Sequence, residues 1–155
     1  HDLQRPQNEM ALRNSLSELW IQIYAKAESQ FALNNSSLMT SREIRFREIL
    51  DYIRTHYADS IDVPQIASAV GISERDCYRT IKACAGTTPA AYLRAYRITR
   101  ACTLLTHTTR TVQTIPHQCG FATASPLGQV FKEQIGCTPS EYRAMRQNFD
   151  TTGQK

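Results

Sequence analysis

The sequence predicts an all-α fold: two helix-turn-helix subdomains of the homeodomain-like kind, joined by a long helix and preceded by an amphipathic helix. One observation is an internal repeat, in which a pattern of six positions returns about fifty residues on with the same internal spacing. Its first copy is Ile81-Lys82, Gly86, Thr88-Pro89 and Tyr92, and its second copy is Phe131-Lys132, Gly136, Thr138-Pro139 and Tyr142. A second observation is that an apolar residue, a glycine and a hydroxyl residue precede each copy: Ile66, Gly71 and Ser73, then Ile115, Gly120 and Thr123. Each unit is therefore predicted to be a helix, a tight turn and a helix.

The N-terminal region is predicted to contain one amphipathic helix over residues 10–31. Apolar residues recur there at steps of three and four: Leu12, Leu16, Leu19, Ile23, Ala27 and Phe31. Two interpretations of this helix stay open, namely packing on its own domain and pairing with another chain or domain. A polar linker is expected over residues 34–39. Residues 1–40 together are expected to be the remnant of an upstream sensing or dimerisation domain.

The first subdomain, with its connecting helix, is expected over residues 41–105. Thr40 and Glu43 have the spacing of a capping box, so a helix is expected to begin there and to end at Asp59-Ser60. Its predicted buried face comprises Phe46, Ile49, Leu50, Ile53 and Tyr57. Pro64 suits the first turn of a short helix that ends at Val70.

The recognition helix of the first subdomain is predicted from Glu74 to Ala85. Gly71 supplies the positive φ of the preceding turn, Ser73 caps the helix, and Gly86 ends it. Its inward residues are expected to be Cys77 and Ile81.

The connecting helix is expected to begin at Thr88-Pro89 and to end in the threonine-rich stretch of residues 106–111. Its apolar residues are Tyr92, Leu93, Ile98, Ala101, Leu104 and Leu105. A proline inside a helix removes a backbone hydrogen bond and clashes with the preceding turn, so Pro116 predicts a late helix start with Thr114 as the cap.

The second subdomain is expected over residues 106–148. After the short helix through Ile115 to Gln118, a second helix is predicted from Ala124 to Ile135, with Thr123 as its cap, and a closing helix from Ser140 to Gln147. Residues 149–155 are expected to form a frayed tail.

The positive charge is concentrated in the repeated region. The chain has 155 residues, 41% hydrophobic content and a formal net charge of +4. Residues 1–40 carry three basic and four acidic side chains, whereas residues 41–147 carry fourteen basic and nine acidic ones. This distribution fits a nucleic-acid partner, although a basic helix face is more often simply solvated.

The cysteines predict neither a disulfide framework nor a metal site. Their number is odd, and no pair has the Cys-x-x-Cys spacing: Cys77, Cys84, Cys102, Cys119 and Cys137. All five are expected to be small buried apolar residues in a reducing compartment. The sequence has no long apolar run and no signal peptide, so a cytoplasmic location with no membrane contact is expected.

With its residues set out in this way, the chain resembles the DNA-binding domain of AraC-type bacterial transcription regulators, from about Ile49 to Arg146. The most specific part of the resemblance is Gly120-Phe121, Phe131-Lys132, Gly136-Cys137-Thr138-Pro139 and Tyr142-Arg143. The first unit adds Ile66-Ala67, Ser73, Arg79, Lys82, Gly86 and the pattern from Tyr92-Leu93 through Arg97 and Ala101 to Leu104-Leu105. The resemblance implies a sequence-specific transcription regulator whose two recognition helices enter adjacent major grooves of double-stranded DNA.

The resemblance also implies which residues contact DNA. The base-facing positions of the first recognition helix are Arg75, Tyr78 and Arg79, and those of the second include Ser125 and Gln129. Contacts to phosphate are expected from Ser73, Lys82, Arg94, Thr123 and Lys132. For both lysines the alternative is a solvated ammonium whose stem covers the core.

The second recognition helix departs from this pattern, because its outward residues are Ala124, Ser125, Gly128 and Gln129. On the first recognition helix, two arginines four residues apart can each donate two hydrogen bonds to a guanine. The four positions of the second helix offer only one hydroxyl and one amide. We therefore expect the first unit to supply most base specificity and the second to anchor phosphates.

Two other classes of function compete with DNA binding. An enzyme is disfavoured, since no carboxylate pair, nucleophile with a base, phosphate loop or cofactor motif stands out. A protein-interaction module with the same fold that has lost specific DNA binding stays open, because of the depleted second helix and Pro116. As partners, the family leaves open RNA polymerase, a homodimer through residues 10–31, and a small-molecule effector bound by a domain outside this sequence.

Overall fold

Seven α-helices follow one another in residues 40–152, the part of the chain that the computed structural model describes. They are α1 Ser41–His56, α2 Val63–Ala69, α3 Glu74–Ala85, α4 Pro89–His107, α5 Ile115–Gln118, α6 Ala124–Ile135 and α7 Pro139–Thr152. The helix predicted over residues 10–31, the linker over 34–39 and the homodimer that depends on them lie outside the described residues.

The first unit consists of α1, α2, α3 and the N-terminal half of α4, and its helices begin at side-chain caps. Both hydrogen bonds of the predicted capping box are present between Thr40 and Glu43. A second capping box, which the sequence analysis missed, joins Asp62 and Gln65 at the start of α2. These bonds satisfy amides that have no partner within their own helix, so the helix starts are fixed locally.

The first helix-turn-helix has the predicted bounds. Gly71 has a φ of 67° in the turn between α2 and α3, and Ser73 caps α3 through a bond from the amide of Asp76. Gly86 ends α3 in the left-handed conformation, with its amide bonded to the carbonyl of Lys82. Two other bounds differ slightly: α1 ends at His56, a little before the predicted Asp59-Ser60, and α2 ends at Ala69, one residue before the predicted Val70.

The second unit consists of the C-terminal half of α4 with α5, α6 and α7. The helix α5 begins at Ile115, as Pro116 predicts, and α6 has the predicted bounds. Both expected side-chain caps are absent, however, since neither Thr114 nor Thr123 makes a capping hydrogen bond. The hydroxyl of Thr114 instead donates to the carbonyl of Thr111 at 2.9 Å, a local alternative that threonine side chains often take.

Two separate apolar cores divide the chain. The first core joins α1, α2 and α3 to the start of α4 and contains Ile49, Ile53, Val63, Ile66, Ala67, Cys77, Ile81, Tyr92 and Leu93. The second core joins the rest of α4 to the last three helices and contains Ile98, Ala101, Cys102, Leu105, Ile115, Cys119, Phe121, Leu127, Phe131, Ile135, Cys137 and Tyr142. The helix α4 therefore belongs to both units and connects them.

Two further expectations were wrong. The helix α7 continues to Thr152, past the predicted end at Gln147, because the sequence has no proline or glycine before Gly153 to stop it. Cys84 is exposed near the end of α3, whereas the other four cysteines are buried. Burial raises the pKa of the Cys119 thiol to about 11 and that of Cys102 to about 12.

None of the helices in residues 40–152 is long and apolar enough to cross a membrane. Among the same residues, no group of three histidine, cysteine or acidic side chains is placed to hold a metal ion.

Candidate nucleic-acid interface

The outward face of α3 carries three large side chains that can bind nucleic acid. Cys77 and Ile81 are fully buried, and their burial fixes the rotation of the helix about its axis. As a result Arg75, Tyr78 and Arg79 are all exposed, Tyr78 at 43% of its surface. Residues four apart share a helix face, so both guanidinium groups project on the same side.

Asp76 orients Arg79 on this face. A terminal nitrogen of the Arg79 guanidinium lies 2.6 Å from one carboxylate oxygen of Asp76, and the hydroxyl of Ser73 donates to the other oxygen at 2.9 Å. Arg79 keeps further N–H donors for a ligand, since a guanidinium has five. Ser73 accepts from the Asp76 amide and donates to its carboxylate, so its hydroxyl proton is already engaged.

Arg75 differs from Arg79 in having no such partner. Among the described residues it makes no hydrogen bond or ion pair, and it lies in the first turn of α3. An unpaired guanidinium near the start of a helix is free to take a planar acceptor pair, such as a guanine edge or a phosphate.

The cations expected at phosphate differ in their surroundings. Lys82 donates from Nζ to the carbonyl of Gly86 at 3.0 Å, which places its charge at the C-terminal end of α3. Arg94 and Lys132 are exposed and form no bond with the described residues. The charge of Lys132 also contributes to lowering the pKa of Glu141, after the larger effect of the Thr138 hydrogen bonds.

The outward face of α6 is smaller and less basic. Ser125 and Gln129 are exposed as expected, and Leu127 and Phe131 are buried on the opposite side. The amide of Gln129 donates to the carboxylate of Glu133 at 3.2 Å, so a negative charge lies beside it. The hydroxyl of Thr123 has no partner in the described residues and is free to donate.

The structure thus distributes the expected residues over two helices. Arg75, Tyr78 and Arg79 come together on α3, and Ser125 and Gln129 lie on α6. The sequence analysis did not predict the contacts of two acidic residues on these faces, Asp76 with Arg79 and Glu133 with Gln129. Their spacing of three and four residues from Arg79 and Gln129 was the available indication.

The chain is similar to known proteins. A family model described as a helix-turn-helix domain matches residues 66–145, slightly more than half of the chain. The transcriptional activator RhaS of Escherichia fergusonii is 30% identical over 118 residues, which are 74% of this chain and 42% of that protein. The chain therefore spans less than half the length of this curated relative.

Solved structures show the same arrangement of helices. A transcriptional regulator of the AraC type from Chromobacterium violaceum is 28% identical with a TM-score of 0.64, over 67% of this chain and 93% of that one. The DNA-binding domain of AdpA, solved in complex with a target DNA, is 26% identical with a TM-score of 0.64, over 67% of this chain and 94% of that one. Two helix-turn-helix units on a shared long helix, the matching family model and these neighbours lead to one conclusion: the chain belongs to the family of AraC-type helix-turn-helix DNA-binding domains.

Proposed function

We propose that this chain binds double-stranded DNA sequence-specifically for a transcription regulator, with α3 and α6 in adjacent major grooves and α3 supplying most of the base readout. The observation that carries the proposal is the contrast between the two outward faces. Arg75, Tyr78 and Arg79 are exposed together on α3, whereas α6 presents only Ser125 and Gln129.

The chemistry of α3 suits guanine. An arginine can donate two hydrogen bonds to O6 and N7 of guanine, worth about 1–3 kcal/mol of discrimination against another base. Arg75 has every donor available, and Arg79 is held in place by Asp76. Tyr78 can bond a base edge or pack against the sugar and phosphate.

The chemistry of α6 suits anchoring. Glutamine recognises adenine through both ends of its amide, but one of the two N–H donors of Gln129 is already bonded to Glu133, whose carboxylate competes with a base for this side chain. The free hydroxyl of Thr123 and the exposed ammonium of Lys132 are suited to phosphate oxygens, which carry no sequence information. Arg94 and Lys82 extend the phosphate contacts on the side of the first unit. Ser73 joins them only by exchanging its bond to Asp76.

A mobility-shift titration of the chain on duplex DNA at several salt concentrations tests the proposal. We expect binding to nonspecific duplex at low salt, with an affinity that falls steeply as salt rises, because released counterions drive the association. A protein-interaction module with this fold would bind no duplex at any salt concentration, and that result would overturn the proposal.

Two variants separate base readout from anchoring. We expect Arg79→Ala to relax base preference. Lys132→Ala is expected to weaken binding to all duplexes about equally and to reduce the slope of log affinity against log salt concentration by about 1. Gln134→Ala is a control at an exposed position on the same helix as Lys132, and it is expected to leave affinity and base preference unchanged. A parallel loss of affinity at every site in both Arg79→Ala and Lys132→Ala would contradict the division of roles.

The remaining proposals concern partners other than DNA. We propose that the regulator contacts RNA polymerase, that its effector is bound by a domain outside this sequence, and that residues 10–31 pair two chains. Sedimentation tests the pairing: we expect a dimer in the chain and a monomer after removal of residues 1–39. A monomer at all concentrations of the full chain would contradict it.

A further inference from the structure

Arg97 lies where the two units meet. It projects from the middle of α4 toward the segment between α1 and α2. Its Nε donates to the carbonyl of Tyr57 at 2.8 Å, and a terminal nitrogen donates to the carbonyl of Asp59 at 2.7 Å. Tyr57 is the C-cap of α1, so these carbonyls lie just beyond the negative end of a helix and have no helical partner.

The second unit approaches the same point through Gly120. This glycine lies in the turn between α5 and α6 and has a φ of 74°. A Cβ at this position would stand 2.4 Å from the carbonyl oxygen of Tyr57 and 2.7 Å from Nε of Arg97. The turn that leads into the second recognition helix therefore rests directly on the hydrogen bond between Arg97 and Tyr57.

Aromatic rings complete the contact. The ring centroid of Phe121 lies 6.0 Å from Cζ of Arg97, and that of Tyr57 lies 5.6 Å from Cζ of Arg100, one turn further along α4. Both arginines thus pack on aromatic faces, an arrangement that attracts cations. Burial lowers the pKa of Arg97 from its ordinary value. The hydrogen bonds to the two carbonyls replace part of the hydration that the guanidinium loses.

Elsewhere the two units are joined mainly through α4. Beside Arg97, a cleft of about 290 Å³ separates them, with Val63 and Ile66 on one wall and Phe121 on the other. Such a cleft leaves room for one unit to rotate against the other, so the angle between them depends on α4 and on the contact at Arg97.

We propose that Arg97 is a positioning residue that fixes the angle between α3 and α6 and thereby selects the spacing of two DNA half-sites. This inference rests on the proposed DNA binding, and it concerns spacing rather than base identity. Half-sites are read together only when both recognition helices face their grooves, and each base pair of extra spacing turns one half-site by about 35°.

A spacing series tests the proposal on the full chain. Two half-sites are placed at separations that differ by single base pairs, and binding is measured for the parent chain, Arg97→Met, Arg97→Lys and Gly120→Ala. For the parent chain we expect affinity to fall about tenfold or more when the spacing departs by two base pairs from the best one. In Arg97→Met and Gly120→Ala this loss of affinity is expected to be only about threefold. In Arg97→Lys, which keeps a hydrogen-bond donor, it is expected to be intermediate. Affinity for a short duplex with the first half-site alone is expected to stay unchanged.

Arg45→Met is the matched control, because it removes the same charge from an exposed arginine of α1 and is expected to keep the full spacing preference. The proposal would be overturned if both Arg97→Met and Gly120→Ala kept the full spacing preference. It would also be overturned if these variants lost as much affinity for the single half-site as for the paired half-sites.

A second measurement needs no DNA. Spin labels on Cys84 of α3 and on a cysteine introduced by Gln134→Cys on α6 report the distance between the recognition helices, since both positions are exposed and the other cysteines are buried. We expect one narrow distance distribution in the parent chain and a clearly broader one in Arg97→Met. If the chain binds no duplex, the proposed function is wrong. The distance distribution still tests whether Arg97 fixes the angle between the two helices, because it is measured without DNA. An unchanged narrow distribution in Arg97→Met would overturn that role.

Discussion

The two helix-turn-helix units use the same backbone scaffold and present different chemistry on it. Each of the helices α3 and α6 ends at a left-handed glycine, Gly86 or Gly136, whose amide bonds to the carbonyl of a lysine four residues earlier. At the other end they differ, since Ser73 is bonded to its own helix and Thr123 is free. The repeat therefore preserves the residues that shape the turn, whereas the exposed side chains of α3 and α6 differ between the two units.

The largest expected effect concerns the independence of the two cores. Ile81 and Phe131 occupy equivalent positions in the repeat, and both are fully buried. Phe131→Ala removes a ring that meets Tyr142 edge to face, and is expected to lower the free energy of unfolding of the second unit by about 3–5 kcal/mol. Hydrogen exchange should then rise in α5, α6 and α7 while α1, α2 and α3 keep their protection.

Ile81→Ala is the matched variant, and it should produce the reverse pattern. Equal loss of protection in both units from either variant would show that they fold as one cooperative body.

The second prediction concerns base discrimination. Replacing Arg75 by alanine is expected to remove about 1–3 kcal/mol of preference at one base pair, because an unpaired guanidinium is lost. Ser125→Ala, one repeat later, should change base preference little. Competition binding with single base-pair variants measures both. An equal change from the two substitutions would mean that both helices read bases.

The third prediction concerns helix caps. Ser73→Ala is expected to lower the free energy of unfolding by about 1 kcal/mol, since it leaves the amide of Asp76 without its bond. Thr123→Ala should cost much less, because its hydroxyl caps nothing. Denaturant unfolding of both variants checks the difference. A larger loss from Thr123→Ala would contradict the assignment of the free hydroxyl.

The smallest effect is expected at Gly128, in the middle of α6. Gly128→Ala should raise the free energy of unfolding by about 1 kcal/mol, because alanine favours the helix and an added Cβ meets no atom within 4 Å. We expect DNA affinity to change little. Thermal unfolding measures the gain, and a loss of stability would show that the glycine is required by packing.

Local patterns in the sequence predicted most helix bounds. Ser73, Gly86 and Pro116 act on their own neighbours, so the starts and ends of α3 and α5 followed from spacing alone. The same patterns also permitted errors: a hydroxyl at a helix start can bond elsewhere, as that of Thr114 does with Thr111. The end of α7 was set too early, although nothing before Gly153 breaks the helix.

Sequence patterns could not predict contacts between residues that are far apart in the chain. Arg97 bonds to carbonyls 38 and 40 residues away, and no spacing rule connects it to Tyr57 or Gly120. The glycine in the second turn was predicted for its conformation alone, and its close approach to the first unit appears only in the folded chain. Similarly, the exposure of Cys84 depends on which face of α3 the first core covers.

The central claim is that the first unit reads bases and the second anchors phosphates. Selection of bound sites from random duplex DNA tests it most directly, because it reports every position that the chain discriminates. We expect two half-sites about ten base pairs apart, one with strong base preference and one nearly degenerate. Two half-sites of equal information content would contradict the account.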